Sequence, residues 1–359
     1  MFNHDAVTAL PAHQDTPAAW YGPQLAARDD WIEALSDSEL FELERASDRL
    51  ATTNADLTGL RATDHPLPIL TSRLRRALSD VLDGRGFVLL RGLPVQAWGR
   101  RRAANAFMLL GAHLGHARPQ NALGHLLGHV RDMGLRSDDP KVRIYQTHER
   151  QTYHTDSCDV VALLCLQTAR TGGQSALVSS TTVFNEMRHH RPDLAAALFQ
   201  PLATDRRGEV GPGQEPFFTI PVFNWLAQGG TSQLSVIYQR QYLESAQRFE
   251  GAPRITPQIR EALDLFDSLC NDPRLNLHMD LRIGDIQLVH NHTLLHDRTG
   301  FEDWPEPERR RHLLRLWLAP EQARVLPQVF ARRYGSIVAG ARGGVGLPDT
   351  ALQVPLDGL

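Results

Sequence analysis

A histidine and an aspartate stand one residue apart in the stretch YHTDSCDVVALLCL, directly before an unbroken apolar run; they are His154 and Asp156. Residues two apart on a β-strand point to the same face, because the pleat repeats every two residues. Both side chains could therefore bind one metal ion. A core histidine hydrogen-bonded to a nearby aspartate is the more usual explanation of such a pair, so the pair alone does not establish a metal site.

A third ligand has candidates in the segment HNHTLLHDRTGFED, where His290, His292 and His296 share strand parity. Two histidines and one carboxylate that leave three positions open form the facial triad of non-haem iron(II) oxygenases. A structural zinc site would instead be closed, and it is usually richer in cysteine. The pattern therefore favours a catalytic metal.

Two arginines, Arg311 and Arg315, interrupt the apolar segment RRRHLLRLWLAP. An arginine that points inward from an apolar strand needs an anion, and guanidinium is the side chain best shaped to bind a carboxylate bidentately. An exposed edge or a salt bridge is the alternative explanation. Ser175 follows the glycine turn in TGGQS and could offer a hydroxyl to the same carboxylate, although an ordinary hairpin turn explains that serine taken alone.

In combination these motifs resemble the iron(II)/2-oxoglutarate-dependent dioxygenases of the taurine dioxygenase-like (TauD/TfdA) superfamily. The matching features, in chain order, are His154–Asp156, the Gly-Gly-x-Ser turn at Gly172–Ser175, the segment GDIQLVHNHTLLHDRT and the pair Arg311–Arg315. The resemblance covers roughly residues 85–320 and is strongest over 150–180 and 283–318. It implies a double-stranded β-helix (jelly-roll) core, one iron(II), and 2-oxoglutarate consumed with O₂ to give succinate and CO₂.

The resemblance also implies roles for individual residues. His154 and Asp156 match the first two iron ligands. His296 matches the distal histidine, because it stands in a His-x-Arg-Thr context shortly before the last strand. His292 is kept as an alternative distal ligand.

For the cosubstrate, Arg311 resembles the arginine that holds the distal carboxylate of 2-oxoglutarate, with Ser175 beside it. Arg315 would assist the cosubstrate or reach an acid group of the substrate. The gap from His296 to Arg311 is long for this family, which leaves open which arginine of Arg309–Arg311 faces inward.

The resemblance implies hydroxylation of an unactivated C–H bond, since relatives that halogenate replace the carboxylate ligand with a small residue and this chain keeps Asp156. Desaturation, epoxidation and cyclisation remain open. Polar residues ahead of the metal strand, including Gln120 and Tyr145, suggest a small polar substrate such as an amino acid or a related acid. Two alternatives come from other classes: a jelly-roll metal-binding protein without 2-oxoglutarate turnover, and a zinc-dependent hydrolase.

The elements that must position these residues are helices first and short strands later. Helices are predicted from periodicity and end signals, and strands from short apolar runs bounded by glycine and proline. This order predicts an α+β, mainly β fold, with a jelly-roll core flanked by helices and an N-terminal helical segment. The predicted helices are SDSELFELERASDRL, PILTSRLRRALSDVLDGRG, AWGRRRAANAFMLLGAHLG, TTVFNEMRHHRPDLAAALF and TPQIREALDLFDSLCNDP.

Three regions are predicted along the chain. Residues 1–66 form an N-terminal helical lead-in, residues 67–335 the jelly-roll dioxygenase domain, and residues 336–359 a C-terminal tail. A lid or insertion is predicted at about 200–275, where proline, glycine and aromatic residues are frequent.

Composition narrows the class of protein. The chain has 359 residues, 42% of them hydrophobic, and a formal net charge of −3, which suits a globular protein with a small-molecule substrate and neither nucleic acid nor membrane as partner. No apolar stretch approaches the ~20 residues needed to cross a bilayer, and no signal peptide is recognised. Three scattered cysteines predict a reducing, cytoplasmic location. A homodimer is an open alternative to a monomer.

Overall fold

The fold is described from a computed structural model, which covers residues 10–53, 56–139, 142–228, 231–347 and 349–359. The α-helices in these ranges are α1 (Gly22–Ala26), α2 (Asp37–Thr53), α3 (Thr71–Leu82), α4 (Val95–Trp98), α5 (Arg100–Leu114), α6 (Ser180–His190), α7 (Pro192–Ala197), α8 (Arg240–Ser245), α9 (Pro257–Cys270) and α10 (Ala331–Tyr334). Short 3₁₀ turns lie at Leu57–Gly59, Ile144–Gln146, Ala246–Arg248, Pro307–Arg309 and Gln328–Phe330.

The strands are short and lie mostly in the second half of the chain. They are β1 (Ile32–Ala34), β2 (Phe87–Arg91), β3 (His116–Ala117), β4 (Leu127–Val130), β5 (Gln151–His154), β6 (Val160–Gln167), β7 (Thr171–Gly172), β8 (Ser175–Ser179), β9 (Leu202–Asp205), β10 (Phe217–Ile220), β11 (Phe223–Gln228), β12 (Thr231–Val236), β13 (Leu277–Met279), β14 (Ile286–His290), β15 (Leu294–Arg298), β16 (Phe301–Glu302) and β17 (His312–Ala319).

Two sheets form the core. The larger has the order β1-β2-β14-β6-β17-β3, with β4 also paired to β17, and the smaller has the order β13-β8-β15-β5. Apolar residues of both sheets, among them Val161, Val289, Leu177 and Leu294, share one buried cluster, so the sheets face each other. The strands β5, β6 and β8 alternate between the two sheets in chain order, and so do β14, β15 and β17. The intervening strands β7 and β16 pair with each other. The predicted α+β, mainly β fold with a jelly-roll core is confirmed.

The unbroken apolar run of β6 follows from burial on both faces. Val160, Ala162 and Leu164 pack with the helices α2, α3 and α5 in one cluster. Val161 and Cys165, at the alternate positions, lie in clusters on the other face of the sheet. A strand covered on both faces loses the usual alternation of apolar and polar residues.

Helices cover the outer faces of both sheets. The outer face of the smaller sheet is covered by α6, α7 and α9, which share a cluster with Ala176, Val178 and Leu295. The predicted start of α2 is confirmed, since the backbone N–H of Ser36 donates to the Glu39 carboxylate at 2.8 Å, as in a capping box. Among the described helices, none is long and apolar enough to span a bilayer.

The three predicted regions stay predictions, but two contacts link them. The strand β1 lies in the N-terminal lead-in and pairs in parallel with β2 of the larger sheet, although only helices were expected there. Arg342 of the C-terminal tail forms a buried ion pair with Asp159 of the core at 2.7 Å. Described parts of the N-terminal lead-in and of the C-terminal tail therefore contact the jelly roll.

Candidate active site

The His-x-Asp pair lies where the chain crosses between the two sheets. Strand β5 of the smaller sheet ends at His154, and Asp156 follows in a loop before β6 of the larger sheet begins at Val160. The expectation that both residues share one strand was therefore wrong. The chain must leave one sheet for the other here, and the backbone N–H of Asp156 donates to Asn291 Oδ1 at 3.0 Å instead of to a neighbouring strand.

His296 is brought to the same point by strand pairing. It lies on β15, where it is the direct Cα partner of His154 on β5. Its Nε2 is 3.8 Å from Asp156 Oδ2, and His154 Nε2 is 3.9 Å from Asp156 Oδ1. One ligand atom from each of the three residues lies within 4.8 Å of the others. Three donors this close could hold one metal ion on one side.

The protonation states of these groups suit a metal. Burial lowers the pKa of His296 to about 3, and the neighbouring His154 acts in the same direction. Burial by itself raises the pKa of Asp156, but Arg315 and the histidines lower it more, to about 2. His154 Nδ1 lies 2.9 Å from the carbonyl oxygen of Thr152, which accepts a hydrogen bond from it, so the lone pair is on Nε2. The Gln151 side-chain amide lies 2.7 Å from this Nε2, and a metal would take its place. Two neutral imidazoles and one carboxylate are the forms that bind metals.

The alternative ligand His292 lies elsewhere. Its Nε2 is 3.0 Å from Asp159 Oδ1, and its ring packs edge-on to Phe330. Asp159 also receives the Arg342 guanidinium. His292 is thus part of a buried polar network with Asp159 and Arg342, and not of the ligand cluster.

A cavity lined by His154 and His296 also holds the residues predicted to bind a dicarboxylate. Its lining is formed by Val130, Tyr145, Gln151, His154, Leu163, Ser175, Gln287, His296, Asp297, Arg298, Arg311, Leu313 and Arg315. Arg311 is buried, and its Nη1 has no hydrogen-bond partner among the described residues. Burial lowers its pKa to about 10. A buried guanidinium without an anion is costly, so this cavity fits a ligand with a carboxylate.

The structure also distinguishes the three neighbouring arginines. Arg309 and Arg310 are exposed, whereas Arg311 is 4% exposed. The Gly-Gly turn explains how Arg311 finds room, because a Cβ at Gly173 would lie 2.9 Å from Arg311 Nε. Gly173 has a φ of +71°, which also favours glycine. The position of Arg311 therefore depends on the absence of a side chain at Gly173.

Arg315 lies on β17 and lines both this cavity and a larger pocket. Its Nη1 donates to Asp156 Oδ2 at 3.2 Å and its Nε to Gln120 Oε1 at 2.7 Å. Trp317, two residues along the same strand, donates from Nε1 to the same Asp156 oxygen at 2.9 Å. The hydrogen bonds from Arg315 and Trp317 fix the orientation of the Asp156 carboxylate.

A larger pocket opens on the other side of Asp156. Its lining combines apolar and aromatic side chains with polar ones. The lining consists of Gln120, Arg143, Ile144, Tyr145, Gln151, His154, Thr155, Asp156, Ser157, Thr204, Asp205, Phe218, Ile220, Val222, Ile237, Tyr238, Gln239, Tyr242, Leu243, Arg315, Trp317 and Arg333. A substrate in this pocket would lie beside the candidate metal ligands.

Sequence reasoning found part of this lining. Phe218, Tyr238 and Tyr242 of the predicted insertion do line the pocket, whereas Phe223 is buried in the helical cluster. Gln287, which lines the cavity of Arg311, was missed, as were Trp317 and Arg333 of the larger pocket. Gln287 and Trp317 could have been found, because Gln287 interrupts an apolar strand and Trp317 shares the parity of Arg315. Arg333 offered no such signal, since it lies in the short helix α10 after the last strand.

Comparison with known proteins places the chain in a family. The sequence model described as "Taurine catabolism dioxygenase TauD, TfdA family" matches residues 53–317, which is more than half of the chain. FR-33289 synthase of Streptomyces rubellomurinus is 28% identical over 330 residues, covering 90% of this chain and 96% of its own. The taurine hydroxylase-like protein SAT17 of Stachybotrys chartarum is 30% identical over 315 residues, covering 83% and 77%.

Solved structures of similar fold are also known. Asparagine oxygenase in complex with Fe(II), 2S,3S-3-hydroxyasparagine and succinate superimposes with a TM-score of 0.62 at 18% identity, covering 80% of this chain and 93% of its own. The non-haem iron oxygenase OrfP, in complex with Fe and alpha-ketoglutaric acid, gives a TM-score of 0.59 at 15% identity with the same coverage. At such identities the likeness establishes the fold.

Proposed function

The chain belongs to the TauD/TfdA family of Fe(II)- and 2-oxoglutarate-dependent dioxygenases, and from that premise we propose that it hydroxylates a C–H bond of a small acid. His154, Asp156 and His296 are proposed as the iron ligands. Arg311 and Ser175 are proposed to bind 2-oxoglutarate. The observation that carries the proposal is that His154, Asp156 and His296 converge on one point, and that His154 and His296 line a cavity together with Arg311, whose buried Nη1 has no hydrogen-bond partner among the described residues.

Each group has a separable task. Iron(II) and 2-oxoglutarate, when bound, would react with O₂ to form the oxidant, with release of succinate and CO₂. His154 and His296 would donate Nε2 lone pairs from the paired strands β5 and β15, while Trp317 and Arg315 orient the Asp156 carboxylate. The surrounding apolar residues keep water away from the reacting centre.

The substrate is proposed to be a small molecule with an acid group bound by Arg315. The Nη2 group of Arg315 has no hydrogen-bond partner among the described residues, and the side chain lines both cavities. A carboxylate bound by guanidinium would be fixed close to the metal. Asparagine oxygenase and OrfP form complexes with hydroxylated amino acids, and two relatives are uridine-5'-phosphate dioxygenases. These names support a small polar substrate.

Retention of Asp156 supports hydroxylation as the outcome. The binding-only and zinc-hydrolase alternatives give no role to the buried Arg311, whose Nη1 lacks a partner. A cytoplasmic location is proposed from the three cysteines, all of which are free and buried. A homodimer remains an open proposal.

The test is spectroscopic and anaerobic. Iron(II) and then 2-oxoglutarate are added to metal-free protein, and a weak visible charge-transfer band is expected from bidentate 2-oxoglutarate on iron. The band should disappear in His154→Ala and Asp156→Ala variants. A protein that binds iron normally but gives no band would contradict the proposed roles of Arg311 and Ser175. In that case zinc-supported activity without O₂ should be measured next.

A further inference from the structure

One arginine of the substrate pocket forms no ion pair among the residues that the structure describes. Three arginines line this pocket, and two of them are paired: Arg143 with Glu209, and Arg315 with Asp156. The third is Arg333. Its Nε donates to Ser157 Oγ at 2.8 Å, and it forms no ion pair with any residue that the structure describes.

The same pocket offers no free carboxylate. Asp205 lines it, but its side chain already accepts hydrogen bonds from Ser245 and Arg248, both at 2.6 Å. Asp156 is the candidate metal ligand. Within the described residues, no acidic side chain of the lining is therefore left for an ammonium group. The pocket carries an excess of positive charge.

Arg333 is fixed in position by the segment that carries it. Arg342 forms a fully buried ion pair with Asp159 at 2.7 Å, and the backbone N–H of Gly344 donates to the Ser157 carbonyl at 2.7 Å. Both contacts bind the C-terminal segment to the loop that begins at Asp156. The guanidinium is thus held beside the candidate metal site before any ligand binds, which reduces the entropy cost of binding.

We propose that Arg333 binds a second anionic group of the substrate, so that the substrate is a small dianion and not a zwitterionic amino acid. One acid group would lie on Arg315 beside the metal and the other on Arg333. The apolar residues Phe218, Ile220 and Leu243 would contact the carbon chain between them. The second group is a carboxylate, sulfonate, phosphonate or phosphate, all of which guanidinium binds through paired N–H groups.

This inference rests on the proposed function and reaches beyond the family pattern. Arg333 lies outside residues 53–317, which the family model matches. A monoanionic or zwitterionic substrate would leave the Arg333 guanidinium without an ion-pair partner among the described residues, so its charge in the pocket would stay unbalanced.

The test compares two probes of equal chain length, 3-phosphonopropanoate and 3-aminopropanoate. Binding is measured by anaerobic titration calorimetry with saturating iron(II) and 2-oxoglutarate, so that Arg311 is already occupied. The phosphonate should bind the wild-type protein and the amine should not. Arg333→Gln should weaken phosphonate binding roughly 10- to 100-fold, and Arg333→Lys should weaken it less. The matched control is Arg332→Gln, an exposed neighbour that should bind as the wild type does.

The outcomes are separable. Equal phosphonate affinity in wild type and Arg333→Gln, preference for the amine, or no phosphonate binding at millimolar concentration would each overturn the proposal. If Arg333→Gln fails to fold, the probe preference of the wild type and the Arg333→Lys affinity decide. Failure of the proposed function is recognised independently, because the visible band of iron and 2-oxoglutarate would then be missing before any probe is added.

Discussion

His154 and His296 are direct partners across the antiparallel strands β5 and β15, and their ring centroids lie 4.1 Å apart. The sequence separates them widely, and only the register of the smaller sheet brings them together. A slip of one residue in this pairing would turn one imidazole to the opposite face. The register is therefore as important to the metal site as the ligands themselves.

His296→Ala should lose iron(II) binding, because one of three ligands is removed. The loss of affinity should exceed the ~10- to 100-fold that is typical of changes to groups outside the ligand set. His292→Gln should keep iron binding, since His292 bonds Asp159 and not the ligand cluster. Equilibrium iron titrations of both variants provide the measurement. Iron binding retained by His296→Ala and lost by His292→Gln would reverse the assignment.

Arg311→Gln should raise the KM for 2-oxoglutarate by about 10- to 100-fold, because a charge-assisted hydrogen bond to the cosubstrate is lost. Arg309→Gln serves as the matched control, since this neighbour is exposed and should leave the KM unchanged. Succinate release measured against 2-oxoglutarate concentration gives both values. Equal effects of the two substitutions would argue against Arg311 as the cosubstrate residue.

Gly173→Ala should weaken 2-oxoglutarate binding without removing a contact to it. The added Cβ would lie 2.9 Å from Arg311 Nε, and the φ of +71° is unfavourable for alanine. We expect a higher KM for 2-oxoglutarate together with a loss of roughly 1 kcal/mol or more in the free energy of unfolding. Gly134→Ala, which also has a positive φ but an open surrounding, should lower stability while leaving that KM unaltered.

Arg342→Ala should lower the free energy of unfolding by about 3–5 kcal/mol, since it removes the guanidinium that pairs with the fully buried carboxylate of Asp159 and leaves only the His292 contact among the described partners. Arg136→Ala breaks an exposed ion pair with Asp138 and should cost less than about 1 kcal/mol. Urea unfolding of both variants tests the contrast. Similar losses in the two would show that the C-terminal segment contributes little to the core.

Stability should also depend on pH through Asp205. Burial by itself raises the pKa of this carboxyl, but hydrogen bonds from Arg248, Ser245 and the Arg207 backbone lower it below its usual value. A carboxyl with a lowered folded-state pKa stabilises the fold above its unfolded pKa of about 3.9, and this contribution is lost as the pH falls through the folded-state pKa.

Asp205→Asn should therefore be less stable than the wild type at neutral pH, and the difference should shrink as the pH falls below about 4. Urea unfolding of both proteins across this range provides the measurement. Asp64→Asn, at an exposed carboxyl, is the control and should show no such difference. A difference that stays constant with pH would mean that the Asp205 charge is not responsible.

The sequence alone predicted the fold class, the longer helices α2, α3, α5, α6 and α9, and the residues expected at the site, but not the strand β1. Local signals suffice for this, because hydrophobic periodicity and end signals report secondary structure directly. The ordered motifs His154–Asp156, Gly172–Ser175 and Arg311–Arg315 then carried the family resemblance.

Only the tertiary structure decided which groups meet. It placed Asp156 in a crossing loop and not on the apolar strand, turned Arg311 inward while Arg309 stays exposed, and set His292 on Asp159. It also brought Arg333 to the substrate pocket. These outcomes depend on pairing register and on packing between segments distant in the chain, and such long-range contacts leave no periodic trace in the local sequence.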